Sequence, residues 1–194
     1  MLNFEITRQE RYSRAELLLR SVFGFLYIGI PHGFVLFFLG LWSGILTFIS
    51  FWAILFTGRY PQSFFEYQVG LHRWQTRVNA ALWNLRDGYP AFGMRHENPD
   101  VIYDPVYPEL GRGELLLKVL LGWLYCALPH GFCLYFRILA SVFLGFLAWW
   151  ALLFTASYPA GMFAFNVGTL RWQARLGLYL GLMTDDYPPF SGKP

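Results

Sequence analysis

Two long uncharged stretches limit what this chain can fold into. Residues 21–58 contain no Asp, Glu, Lys or Arg, and residues 119–170 contain only Arg137. Apolar runs longer than about 18 residues are typical of membrane-spanning helices. Only 14% of the 194 residues are charged, whereas about 25% is usual in a soluble domain. The sequence therefore predicts an all-α integral membrane protein.

The chain contains the same unit twice. Residues 14–92 align without a gap with residues 112–190, and 37 of the 79 aligned positions are identical. Pro31-His32-Gly33-Phe34 recurs 98 positions later as Pro129-His130-Gly131-Phe132. We therefore divide the chain into two tandem repeats, joined by a polar, proline-containing linker. The predicted bounds are 1–92 for repeat 1, 93–111 for the linker and 112–194 for repeat 2. Within the linker, residues 101–103 are predicted to form a short strand.

Each repeat is predicted to form a transmembrane helical hairpin. Residues 17–58 are about twice as long as the roughly 20 residues that one span needs. Arg137 lies near the middle of the corresponding run in repeat 2. An arginine costs at least about 2.5 kcal/mol at the bilayer centre but little at a turn. We therefore expect four transmembrane helices, with turns at 39–43 and 137–141. The hairpins are predicted at about 15–58 and 113–156.

The repeated Pro-His motif falls inside the first helix of each predicted hairpin. Pro31 lacks a backbone N–H and is expected to kink that helix. His32 and His130 are the intramembrane polar residues, and ionisable side chains at this depth are functional candidates by default. Three interpretations remain open. Each histidine donates a hydrogen bond to the backbone carbonyl that the adjacent proline frees, or the two histidines ligate a haem or metal, or they serve a proton relay or ligand contact.

Two cysteines flank His130. Cys126, His130 and Cys133 are predicted to lie on one helical face, at a spacing that soft metals accept. Repeat 1 has Ile28 and Val35 at the two cysteine positions, so this arrangement is not duplicated. We therefore predict two free, buried thiols, no metal and no cofactor.

An amphipathic helix is predicted after each hairpin, at about 62–86 and 160–184. Aromatic and aliphatic residues recur on one face of each helix, and arginines lie on the other. Such a helix lies well in the headgroup plane of a membrane. Arginines at this level bind lipid phosphates readily. The predicted lipid-headgroup contacts are Arg59, Arg73, Arg77, Arg171 and Arg175.

The distribution of charge predicts the orientation of the chain. If both hairpins turn on the far side, Arg137 alone lies there, and the other Arg and Lys residues share the opposite side. The positive-inside rule makes the arginine-rich side cytoplasmic. The first residues carry several charges, so no cleavable signal peptide is expected. We predict a multi-pass protein of the bacterial inner membrane with both termini in the cytoplasm.

The repeated motifs resemble the bacterial DUF4389 membrane family. The residues that carry the resemblance are Pro31-His32, Val35-Leu36, Ala53 through Pro61, Phe65, Val69-Gly70, Arg73-Trp74, Arg77 and Thr184 through Phe190. The resemblance implies a helical membrane protein and no agreed activity. Repeat 2 departs from the pattern, because Ala156-Ser157 replaces Gly58-Arg59.

No catalytic arrangement emerges from the sequence. It has no Ser-His-Asp set, no glycine-rich phosphate loop and no carboxylate pair within a span. It also lacks a basic cluster suited to nucleic acid, and the spans offer no path for a polar solute. We therefore predict a non-enzymatic accessory or scaffold subunit whose partners are other membrane protein subunits and phospholipids.

Two alternative functions remain open. The first is lipid binding or lipid handling, with Arg59, Arg73 and Arg77 on the lipid phosphate. The second is a bis-His haem or metal membrane protein that uses His32 and His130.

Overall fold

Two long helices, two shorter helices and a small sheet form the fold of the computed structural model, which describes residues 2–194. The long helices have 44 residues each, and the shorter ones have 21 each. Two strands of five residues pair antiparallel. In chain order the elements are β1 (Leu2–Ile6), α1 (Arg14–Thr57), α2 (Gln62–Leu82), β2 (Val101–Pro105), α3 (Arg112–Thr155) and α4 (Ala160–Leu180).

The predicted hairpin turns are absent. Both α1 and α3 continue as helix through residues 39–43 and 137–141. The hairpins, and the four spans built on them, are therefore wrong. Gly40 and Gly44 lie within or beside the predicted turn of repeat 1, but an isolated glycine costs only about 1 kcal/mol within a helix, and repeat 2 has Ile138 and Val142 at these positions.

Each long helix ends where the repeated Thr-x-x-Tyr-Pro motif begins. Gly58 has φ 72° and Ala156 has φ 54°, so both adopt the left-handed conformation that closes a helix. Thr57 Oγ1 donates a hydrogen bond of 2.6 Å to the Ala53 carbonyl, one turn earlier. The following Tyr-Pro pair then directs the chain into the shorter helix.

The Pro-His motif does disturb its helix. A π-helical turn, Phe25–Gly29, immediately precedes it in α1, and the Ile30 N–H bonds to the Phe25 carbonyl. Repeat 2 has the same turn at Trp123–Ala127. The irregularity predicted from the proline therefore takes the form of one π-helical turn rather than a break.

Arg137 does not lie on the side opposite the other arginines. Its Nε donates a hydrogen bond of 3.0 Å to Thr169 Oγ1 on α4. Gly192 packs closely against the same guanidinium group, because a Cβ added to Gly192 would lie 2.6 Å from Arg137 Nη2. Arg171 Nη1 donates a hydrogen bond of 2.8 Å to the Gly192 carbonyl. Arg137 and Arg171 therefore meet at the same terminal segment. The predicted separation is wrong because α4 supplies polar partners in the middle of α3.

The shorter helices pack along the long ones. Helix α2 begins at the predicted residue and ends four residues before its predicted end, at Leu82, and α4 ends at Leu180. The apolar stripe predicted to contact lipid faces α1 instead, because Trp74 and Val78 are buried against Ile28. The other side of α2 packs against β2 and the linker.

The sheet joins the two repeats. Strand β1, which the sequence did not predict, pairs with the predicted strand at residues 101–103, now β2. Arg73 Nε donates to the Tyr103 carbonyl at 2.9 Å, and Arg171 Nε donates to the Phe4 carbonyl at 3.1 Å. The sheet thus lies between α2 and α4. We call α2, α4, the sheet and the linker the backing layer.

The long helices are antiparallel and touch at their ends. Arg14 Nη2 donates to the Phe154 carbonyl at 2.8 Å, and Arg112 Nη2 donates to the Phe56 carbonyl at 2.9 Å. Each helix start therefore caps the end of the other helix. The fold consists of a layer formed by α1 and α3 and the backing layer behind it.

Candidate functional site

The side of α1 and α3 that points away from the backing layer is apolar and exposed. Its aromatic side chains are half exposed or more, reaching 74% at Phe25 on α1 and 69% at Phe154 on α3. We call this surface the apolar face. On α1 it includes Phe23, Phe25, Phe34, Phe37, Phe38, Phe48 and Phe56, and on α3 it includes Trp123, Phe132, Phe136, Phe143, Phe146 and Phe154.

The apolar face is larger than a soluble monomer normally exposes. Such proteins rarely show a contiguous apolar patch of more than a few hundred Å², and one aromatic side chain carries about 150–250 Å². Both α1 and α3 are long and apolar enough to cross a membrane, and only 11% and 17% of their most apolar segments is buried. These helices are therefore unlike the core helices of a soluble domain and indicate membrane association.

Behind this face, the repeated motifs close on each other in one cluster per repeat. His32 is fully buried, and its Nδ1 accepts a hydrogen bond of 2.8 Å from Trp74 Nε1. The Phe92 ring stacks on the imidazole at 3.9 Å between ring centroids. Repeat 2 builds the same cluster from His130, Trp172 and Phe190, with 2.8 Å for the hydrogen bond and 3.8 Å for the stack.

The hydrogen bond fixes the state of each histidine. An indole N–H is only a donor, so Nδ1 is an acceptor, the ring is neutral and Nε2 carries the hydrogen. In both repeats Nε2 is buried and has no hydrogen-bond partner within residues 2–194. The interpretation that these histidines donate to a backbone carbonyl is therefore wrong.

A tyrosine supplies the donor instead. Pro31 cannot donate to the carbonyl of Tyr27, four residues earlier. The Tyr89 hydroxyl donates to this carbonyl at 3.1 Å, and Tyr187 donates to Tyr125 at the same distance. The Tyr-Pro-x-Phe motif that follows each shorter helix, Tyr89 to Phe92 and Tyr187 to Phe190, thus completes the cluster. Its recurrence at the same spacing as Pro-His was the signal available for it.

The three side chains whose spacing could suit a soft metal, Cys126, His130 and Cys133, do not form a metal site in the structure. Cys126 and Cys133 are both free, as predicted, but only Cys126 is buried. The π-helical turn contains Cys126 and shifts it from the regular α-helical register with His130. Throughout the described chain, no three His, Cys, Asp or Glu side chains come together in a way that could hold a metal ion.

Most of the predicted lipid-binding arginines are used within the backing layer. Arg77 is buried and donates hydrogen bonds to the carbonyls of His96 and Gly93. Burial, and secondarily the nearby Arg73, lowers the pKa of Arg77. Arg73 itself pairs with Asp104 at 2.8 Å.

The arginines of repeat 2 are used similarly. Arg171 binds the carbonyls of Phe4 and Gly192, and Arg175 donates to the Lys193 carbonyl at 2.8 Å. Burial lowers the pKa of both guanidinium groups. Only Arg59 is exposed at the edge of the apolar face, next to Phe56. The five arginines thus do not form one site.

A charged pair closes each repeat, and the sequence did not predict it. Arg20, inside the start of α1, pairs with Asp87 at 2.6 Å. Lys118 and Asp185 form the equivalent pair in repeat 2. A basic residue repeated within an apolar run and an aspartate repeated after α2 and α4 were the available signals.

The comparison with protein families identifies these repeats. A family model described as "Domain of unknown function (DUF4389)" matches residues 14–93 and 118–192. The chain belongs to the DUF4389 family. The two matches correspond to the two repeats, so the protein carries the domain twice. No curated protein and no solved structure matches the chain, so function must be argued from the geometry.

Proposed function

We propose that this DUF4389 protein is a non-enzymatic accessory or scaffold subunit of a bacterial cytoplasmic-membrane complex. The observation that carries the proposal is the apolar face, which continues along the full length of α1 and α3. Phospholipids cover this face, and other membrane protein subunits bind at its edges or at the backing layer. Both terminal segments contact Arg171, which supports termini on one side, proposed as cytoplasmic.

The polar residues of the chain support a structural role. The buried histidines are held by tryptophans, and Arg77 is held by backbone carbonyls. These groups stabilise the connections between motifs that are far apart in sequence. A scaffold needs a rigid backing layer of this kind, whereas a catalytic site needs polar groups that converge on a substrate.

Membrane extraction tests the first part of the proposal. We expect the wild-type protein to stay in the membrane fraction after an alkaline carbonate wash. The double variant Phe34→Glu/Phe48→Glu should be released from the membrane fraction or degraded, because it places two charges on the surface that contacts lipid. Asn79→Glu, on the exposed part of α2, is the matched control and should behave like wild type. Release of folded wild-type protein by carbonate would refute the proposal.

Crosslinking tests the scaffold role. A photoreactive residue at Glu97 in the linker should give a discrete protein adduct of constant size, and the same residue at Phe37 should give mainly lipid adducts. If no position in the linker, on α2 or on α4 gives a protein adduct, the protein is not a scaffold.

Lipid handling is the second candidate, and one cavity favours it. A cavity of about 400 Å³ lies beside Arg175, with Leu178, Met183 and Val106 in its walls. Such a cavity suits part of an acyl chain, with a cation for the phosphate. Native mass spectrometry should then show one retained lipid, lost in Arg175→Ala and kept in Arg59→Ala, since Arg59 lies outside the cavity. Retention by both variants would contradict lipid handling at this cavity.

A further inference from the structure

The length of the apolar face is inconsistent with one upright crossing per long helix. On α1, exposed large apolar residues extend from Leu18 to Phe56, which is about 57 Å of helix at 1.5 Å per residue. The hydrocarbon core of a bilayer is about 30 Å thick. Fitting 57 Å into this thickness needs a tilt of about 58°, beyond the roughly 0–40° of known spans.

The backing layer also opposes a crossing. Trp74 and Tyr67 of α2 contact α1 at His32 and Leu39, on either side of its midpoint. Arg73, which lies between Tyr67 and Trp74 on α2, binds the sheet at the Tyr103 carbonyl. If α1 crossed the membrane, this two-stranded sheet would lie at the depth of the bilayer core. Open sheets do not occur there in contact with lipid, because their edge N–H and C=O groups have no partners.

The charged pair beside the sheet leads to the same conclusion. Asp104 keeps 63% of its side chain exposed and Arg73 keeps 33%, so protein does not enclose the pair. Charged side chains inside a membrane normally face a protein interior or a water-filled cavity. The pair therefore requires that the middle of the backing layer be in water.

Arginines mark both ends of the layer formed by α1 and α3. Arg14 lies at one end, on the Phe154 carbonyl, and Arg112 lies at the other, on the Phe56 carbonyl. Both are exposed, and so is Arg59 beside Phe56. Long cationic side chains at the edge of an apolar surface reach lipid phosphates. A crossing helix would put Arg14 and Arg112 at opposite membrane surfaces, whereas a helix pair in the membrane plane keeps them at one depth.

From these observations we infer that α1 and α3 lie parallel to the membrane plane within a single leaflet. The apolar face contacts acyl chains, Arg14, Arg59 and Arg112 contact phosphates at the edges, and the backing layer lies in the headgroup region and water. A helix is about 10 Å across, which fits one leaflet of a core about 30 Å thick. The partner is thus one phospholipid monolayer. This inference rests on the membrane attachment proposed above.

The sidedness of the two ends of α1 tests the inference. Arg11→Cys and Arg59→Cys are made separately in a Cys133→Val background, because Cys126 is buried and Val35 occupies the matching position of repeat 1. A membrane-impermeant maleimide is applied to spheroplasts and to inverted membrane vesicles. We expect both cysteines to react in the same preparation only. Labelling in opposite preparations means that α1 crosses the membrane and overturns the inference.

A depth profile gives a second readout. Nitroxide labels at Phe23→Cys, Phe37→Cys and Phe48→Cys, all on the apolar face, should report one shallow depth, and Glu97→Cys in the linker should report water. A maximum of depth at Phe37, with shallower labels on either side, overturns the inference but leaves membrane attachment intact. Release of wild-type protein by carbonate instead overturns both proposals, so the two failures are distinguishable.

Discussion

The Tyr89 hydroxyl donates a hydrogen bond of 3.1 Å to the carbonyl of Tyr27, the carbonyl that Pro31 leaves without its helical donor. Two motifs that are 62 positions apart therefore complete one hydrogen-bonding arrangement. We expect Tyr89→Phe to lower the free energy of unfolding in detergent by about 1 kcal/mol, the usual net value of one hydrogen bond.

A double-mutant cycle separates this bond from the packing of the ring. Pro31→Ala restores a backbone N–H, so the Tyr27 carbonyl no longer depends on Tyr89. Tyr89→Phe should therefore cost clearly less in the Pro31→Ala background than in wild type. Equal costs in both backgrounds would show that the hydroxyl does not serve the freed carbonyl.

The tryptophan that holds His32 gives a second prediction. Trp74→Phe keeps most of the ring contact but leaves buried Nδ1 without a donor, which should cost about 1–3 kcal/mol of unfolding free energy. Trp172→Phe should cost a similar amount, because His130 has the same 2.8 Å bond. Trp52→Phe, on the exposed side of α1, is the control and should stay within about 0.5 kcal/mol.

The histidine tautomer offers an independent measurement. Nitrogen NMR of the wild-type protein should show His32 and His130 as neutral rings with hydrogen on Nε2. An imidazolium or an Nδ1–H tautomer would contradict the hydrogen-bond assignment, whatever the stability of the tryptophan variants.

The repeated Val-Gly motif has a steric basis. An added Cβ on Gly70 would lie 2.9 Å from Met94 Cβ and 3.3 Å from the Met94 carbonyl oxygen. Gly70→Ala should therefore destabilise the protein by about 1–3 kcal/mol, the usual range for overpacking. Gly177→Ala in α4 is the control, because nothing lies within 4 Å of its Cβ, and it should be neutral or stabilising by about 0.5–1 kcal/mol. A neutral Gly70→Ala would show that residues 91–96 move aside freely.

Local signals in the sequence predicted local features. The repeats, the start of α2 and the strand at 101–103 were all predicted from patterns of residues near each other in the chain. The predicted turn at 39–43 rested on a different assumption, that each 20 apolar residues cross the membrane once. An apolar helix that lies on a membrane or packs against α2 has no such limit on its length, so composition alone did not reveal its continuity.

The clusters behind the apolar face needed information that one sequence does not carry. Repetition at the same spacing showed that His32 and Trp74 recur together, but not that they touch across 42 positions. Likewise, the position of Arg77 on the polar face of a predicted amphipathic helix indicated lipid contact. Only the fold shows that backbone carbonyls accept its hydrogen bonds. Nonlocal contacts decide whether a polar residue serves structure or function.

A half-buried histidine in the backing layer predicts how stability depends on pH. Burial lowers the pKa of His72, an effect partly offset by a hydrogen bond with Gln75. The unfolded chain, with a histidine pKa of about 6.5, therefore binds the proton more readily than the folded protein does. The contribution of His72 to the free energy of unfolding is fully present above about pH 6.5 and is lost as the pH falls below it toward the folded pKa.

We expect His72→Leu, which copies Leu170 of repeat 2, to reduce the loss of unfolding free energy between pH 7.5 and pH 5.5. An unchanged pH dependence in this variant would contradict the assignment.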